Sequence, residues 1–89
     1  MITEIQDKSK TITKTKNQNK IVIFNDDVNT FEHVIDCLVI YCDHEPIQAE
    51  QCALIIHNNG RCEVKSGDYE DLKPICSFLL EEGLSAQIE

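Results

Sequence analysis

With 89 residues, the chain has room for one modest hydrophobic core but not for a deep, enclosed active site. Sixteen acidic against eight basic residues give a net charge of −8 and a pI of about 4.7, which opposes contact with phosphate backbones and anionic lipid, since both select clustered Lys and Arg. No apolar run approaches the roughly 18 residues of a membrane-spanning helix, and Met1 to Lys20 lack the apolar core of a secretory signal. A cytoplasmic protein with no nucleic-acid or membrane partner is expected.

Residues 1–19 scatter Ile2, Ile5 and Ile12 among Thr, Lys, Asn and Gln without a helical or alternating period, the pattern of a disordered polar extension. Lys8, Lys10, Lys14 and Lys16 are four of the eight basic residues, so the core domain over 20–89 is more acidic than the total suggests. Lys20-Ile-Val-Ile-Phe24 has the β-branched and aromatic enrichment of a strand. Asn29-Thr30-Phe31-Glu32 then carries the Asn-x-x-Glu spacing of a capped helix start. Phe31, Val34, Ile35, Leu38 and Cys42 recur at helical intervals, with Asp36 and Asp43 facing away.

Pro46 suits the first position of a second helix, Ile47, Cys52, Ala53 and Ile56 supply its buried face, and Gly60 suits the left-handed residue past its end. Arg61 to Lys65 alternate, with Cys62 and Val64 on one face, before Ser66-Gly67-Asp68 breaks the strand. Tyr69, Leu72, Cys76, Leu79 and Leu80 form the stripe of a third helix. Pro74 fits only near a helix start, so that helix either begins around Leu72 or has a distorted first turn. Leu84, Ala86 and Ile88 alternate in a last strand. The order is βααβαβ, an α+β domain whose three short strands make a small sheet covered on one face.

Five cysteines, an odd number with no Cys-x-x-Cys pair, fall mostly on apolar faces, as buried reduced thiols do. His33 and Cys37 stand one helical turn apart, with Cys42 and His44 just beyond, yet the tight paired spacings of structural zinc sites are absent. Neither metal nor cofactor is expected.

Polar residues crowd the first strand-to-helix junction at Asn25-Asp26-Asp27, and a second polar cluster begins at His57, 32 residues downstream of Asn25, continuing as Asn58-Asn59-Gly60. By itself Asn-Asp-Asp reads as an acidic turn, because these side chains bond their own backbone. Together with His57 it offers an amide carbonyl, two carboxylates and a neutral imidazole nitrogen. A primary ammonium, with three donors and one positive charge, is satisfied by such a set. Val34, Cys37, Ala53 and Ile56 on the adjoining helices supply apolar lining.

Asn25-Asp26-Asp27, the helix after it, His57 ending the second helix and Gly60 before a strand together resemble the ClpS adaptor family, over residues 20–89. The resemblance implies a βααβαβ fold with a three-stranded antiparallel sheet and three helices. It implies a monomeric adaptor, not an enzyme, which recognises N-terminal degradation signals and delivers their bearers to a ClpA- or ClpC-like AAA+ unfoldase and its peptidase. Carried over residue by residue, Asn25, Asp26 and His57, with Asp27 beside them, surround the α-amino group. The hydrophobic pocket falls on Asn29, Phe31, Val34, Cys37, Ala53 and Ile56. Glu70 aligns with a position of unfoldase contact, and residues 1–19 match the family's N-terminal extension in character. The departures lie at the pocket: Phe31 and Ala53 stand where many members carry methionines, and Asn29 where many carry Thr. An Ala for Met enlarges a cavity, whereas a Phe at the rim narrows its mouth.

Two other classes compete with an adaptor. A thiol enzyme would use His57 as base and Cys37 or Cys52 as nucleophile, but a catalytic thiol belongs in an exposed, electropositive setting. A metal- or thiol-dependent domain, or a generic docking module, would leave His57 as a capping or core residue.

Overall fold

The computed structural model describes residues 18–89, so the expected extension lies outside the described residues except for its last two positions, of which Asn19 already belongs to the first strand. The elements are β1 (Asn19–Phe24), α1 (Phe31–Cys42), α2 (Pro46–Asn59), β2 (Arg61–Gly67), α3 (Tyr69–Glu81) and β3 (Ser85–Ile88). The strands form one antiparallel sheet in the order β2-β1-β3. The most hydrophobic strand is therefore central, and Ile21, Val22 and Ile23 are all essentially inaccessible to solvent.

Alternation along β1 sends Ile21 and Ile23 into the helical layer, where they pack with Leu38, Ala49, Ile56, Leu72 and Leu79. On the opposite face Arg61 reaches from β2 to Glu89, beyond the end of β3, at 2.6 Å, with its guanidinium 5.2 Å from the Phe24 ring centre. The β1–β2 register shifts between Ile21 and Val22, which face Lys65 and Glu63, leaving Val64 as the extra residue of a bulge. The Val64 carbonyl, freed from regular pairing, accepts from His44 Nε2 at 2.7 Å.

Several local expectations shift. The N-cap of α1 is Thr30, whose Oγ1 accepts from His33 N at 3.1 Å, and not Asn29. The Asn29 side chain is turned away from the helix start, its amide nitrogen donating to Asp26 and to the Gly83 carbonyl, so its oxygen does not face the first-turn N–H groups. Pro46 does open α2 and Gly60 does end it at φ 96°. Ile47, however, is 70% exposed, and its expected place on the buried face is taken by Ala49. Helix α3 begins at Tyr69, three residues ahead of Leu72, because the Asp68 carbonyl accepts from both Asp71 N and Leu72 N at 3.0 Å. Pro74 consequently sits inside the helix, where it cannot donate to the Glu70 carbonyl one turn back. Tyr69 and Leu80 flank the stripe and stay about half exposed, while Leu72, Cys76 and Leu79 bury it. Strand β2 runs on to Gly67, past the expected break.

Candidate functional site

Two polar segments far apart in sequence meet because β1 ends where α2 ends. Phe24 pairs with Arg61 in the sheet, and the next backbone N–H, that of Asn25, donates to the Gly60 carbonyl at 2.9 Å. Gly60 turns the chain out of α2 in the left-handed region, with its own N–H returned to the Ile56 carbonyl at 2.9 Å. His57 lies in the last turn of α2 and is thereby brought beside the loop that leaves β1. The C-terminal end of a helix carries partial negative charge, so this corner of the molecule favours a cation.

Between that loop, α1 and α2 lies a cavity of about 360 Å³. Its polar end is formed by Asn25, Asp26, Asn29, Thr30 and His57, and its apolar wall by Phe31, Val34, Ala53 and Ile56. Ala53 and Ile56 are buried, whereas Phe31 is 38% exposed at the first turn of α1. Eight of the residues expected from sequence thus share one wall. Thr30 joins them without having been expected, although its position as the hydroxyl residue directly before the first apolar helical residue was a legible signal. Asp27 and Cys37 are not on the wall. Asp27 is exposed, and Cys37 faces the core with its Sγ 3.7 Å from His33 Nε2. Glu70 is exposed in the first turn of α3, outside the cavity.

Asp26 organises the polar end. Its Oδ1 accepts from the backbone N–H groups of Val28 and Asn29, both at 2.9 Å. Its Oδ2 accepts from Asn29 Nδ2 at 2.9 Å and from Ser85 Oγ at 3.3 Å. These bonds, led by the one from the Asn29 backbone, outweigh the opposing effect of burial and hold the Asp26 carboxyl below the ordinary carboxylate range. A carboxylate has about four lone-pair sites. All four of these are engaged, so Asp26 contributes fixed negative charge and loop shape rather than an open acceptor. Among the described residues the side chains of Asn25 and His57 make no hydrogen bond, leaving two acceptors open at the recess, and the Asp27 carboxylate, likewise without a donor, lies off its wall.

The thiols are poorly suited to nucleophilic work. Burial, reinforced by neighbouring carboxylates, pushes Cys37 up to about 11, and burial, with the neighbouring thiols of Cys37 and Cys76, moves Cys42 the same way despite the nearby Lys65. All five cysteines are free. No described helix is long and apolar enough to cross a membrane.

A small helix-covered antiparallel sheet with a recess at one corner, polar at one end and apolar along its wall, defines a binding domain. The family described as ATP-dependent Clp protease adaptor protein ClpS matches residues 14–87, and the chain belongs to that family. It is 34% identical over 76 residues to the ClpS adapter of a Synechocystis species, covering 84% of this chain and 78% of that one. A ClpS adapter from a Nostoc species is 48% identical over a shorter span of 33 residues, 37% of this chain and 34% of that protein. The structure of Agrobacterium tumefaciens ClpS2 bound to L-phenylalaninamide superposes with a TM-score of 0.70 at 19% identity, covering 82% of this chain and 95% of that one, which establishes the shared βααβαβ fold. The protein is thus an adaptor of a Clp protease and not an enzyme.

Proposed function

We propose that this adaptor recognises a free α-amino group followed by a large hydrophobic side chain, and that it hands proteins bearing such N-termini to a ClpA- or ClpC-like unfoldase in the cytoplasm. The observation that carries the reading is the joining of an acceptor-rich, anionic end to an apolar wall within one recess. Asn25 and His57 accept from the ammonium, Asp26 supplies charge from a fixed position, and Asp27, off the wall, adds negative charge from beside the recess. The ClpS2 relative was solved with L-phenylalaninamide, a free amine carrying a benzyl side chain, which fits the same division of the site.

Specificity follows from the wall. An aromatic side chain buries about 150–250 Å², and at roughly 25 cal/mol per Å² this favours Leu, Phe, Tyr or Trp over Gly by several kcal/mol as an upper bound. Ala53 leaves depth at the base of the wall, and Phe31 offers an aromatic edge at the rim. Glu70 and residues 1–19 are the parts of the chain assigned to the unfoldase, the first as a contact and the second as an arm used in transfer.

Fluorescence anisotropy with peptides differing only in their first residue tests the reading. Leu- or Phe-first peptides should bind at least tenfold more tightly than Gly- or Asp-first peptides, and equal affinities would overturn it. A double-mutant cycle of His57→Ala against acetylation of the peptide amine locates the amine: strong coupling between the two changes is expected, and additivity would remove His57 from the cage.

A further inference from the structure

We propose that His33, Cys37 and Glu82 form a binding site for Zn2+ on the seam between α1 and α3, separate from the peptide recess. His33 and Cys37 stand one turn apart on α1 and present ligand atoms to the same side. Glu82, immediately after α3 and 49 residues from His33, brings the third, and the three ligand atoms all lie within 4.8 Å of one another. None of the three lines the recess.

The spacing already approaches a coordination sphere. Zn–S of about 2.3 Å and Zn–N of about 2.05 Å at a tetrahedral angle place S and N about 3.5 Å apart, and N and a carboxylate O about 3.4 Å apart. His33 Nε2 lies 3.7 Å from Cys37 Sγ and 3.9 Å from Glu82 Oε1. Closing these two pairs asks for movements of a few tenths of an ångström, while the third pair, within 4.8 Å, has further to travel. The Glu82 carbonyl, 2.9 Å from Nε2, must also swing off the imidazole axis to admit the ion. Tyr41 OH donates to Glu82 Oε2 at 2.8 Å, which fixes the carboxylate and leaves Oε1 as the ligand. The side chains of His33 and Glu82 are 35% and 39% exposed, so an ion has a way in and a water can complete the fourth position.

The charge arrangement fits a dication. Cys37 is poor as a free thiolate because burial and the carboxylates of Glu82 and Asp36 oppose its charge, and those two carboxylates favour a bound cation. Without metal, His33 Nε2 is bonded to the Glu82 carbonyl oxygen at 2.9 Å. On binding, the imidazole proton moves to Nδ1, the Glu82 carbonyl is released to solvent so that the ion takes its place at Nε2, and the Cys37 thiol releases one proton as the Zn–S bond forms. Thiolate and imidazole together select Zn2+ or Co2+ over Mg2+ and Ca2+, which take oxygen ligands. The ion would fix the end of α3 against α1, next to Gly83, whose carbonyl accepts from the Asn29 side chain that also holds Asp26.

Titration of the full chain with Zn2+ by calorimetry, and with Co2+ by absorbance, tests the site. One ion per chain is expected, with a thiolate-to-cobalt charge-transfer band and tetrahedral d–d bands. Cys37→Ser should abolish the charge-transfer band, and His33→Ala and Glu82→Gln should each weaken binding at least tenfold. The double variant Cys52→Ser/Cys62→Ser should leave binding unchanged. Should Cys37→Ser fail to fold by circular dichroism, the other two variants decide, since both alter half-exposed side chains. Absence of saturable binding, a band that survives Cys37→Ser, or undiminished affinity in His33→Ala and Glu82→Gln would overturn the proposal.

Discussion

Asn29 holds Asp26 at both carboxylate oxygens: its backbone N–H donates to Oδ1 and its side-chain amide to Oδ2, each at 2.9 Å. The same amide nitrogen donates to the Gly83 carbonyl at 2.8 Å, so one side chain ties the loop after β1 to the turn before β3. Replacing Asn29 by Ala removes both side-chain bonds and should lower stability by about 1–3 kcal/mol. Thr, with a single hydroxyl donor, can satisfy Asp26 or Gly83 but not both, and should fall between. Urea denaturation of the two variants checks the order, and an unchanged midpoint in Asn29→Ala would show that the amide is dispensable.

The titration of Asp26 should follow its hydrogen bonds. Its carboxyl is held below the ordinary range mainly by the Asn29 backbone N–H, so its folded pKa lies under its unfolded one. A depressed carboxyl pKa contributes stability above the unfolded value, near about 3.9, and that contribution is lost as pH falls through the folded value. Carbon-13 detected titration should place the Asp26 midpoint below that of a free Asp, and Asp26→Asn should flatten the loss of stability below pH ~4. A midpoint at or above the ordinary value would contradict the bonding described.

Gly60 offers a test of how the two polar segments are brought together. A Cβ at this position would meet nothing within 4 Å, so Gly60→Ala is sterically free and its cost comes from φ 96° alone. That cost should be about 1–2 kcal/mol, with Gly60→Asn milder because Asn visits the left-handed region more readily. Because the Gly60 carbonyl anchors Asn25 N, peptide affinity should fall along with thermal stability. A stability loss with unchanged affinity would separate the turn from the site.

Much of the fold was legible from residue pattern. The β-branched run at 21–23 read as a strand, Pro46 and Gly60 suited the two ends of a helix, and the 3.6-residue recurrence of Leu38, Cys42, Leu72, Cys76 and Leu79 marked faces that are buried. These are local signals, since dihedral preference and periodicity act within a few residues. The polar residues of the recess were legible for a second reason: Asn25-Asp26-Asp27 alone reads as an ordinary turn, and it was the pairing with His57 and the resemblance to the ClpS family that pointed to a shared ligand.

What the sequence by itself determined is therefore the element order, both ends of α2 and most of the residues around the recess. The tertiary structure decided which polar group does what. Asn29 was readable as a cap, but its side chain is oriented toward Asp26 and toward Gly83, 54 positions away, and Thr30 caps α1. Asp26 and Asp27 are chemically identical in the sequence, and only the convergence of Val28, Asn29 and Ser85 saturates the first while the second stays open. His33 and Cys37 had no third ligand until the end of α3 placed Glu82 beside them. The physical reason is common to all three: a hydrogen-bond donor or ligand atom acts over about 3 Å of space, a distance that residue spacing along the chain does not encode.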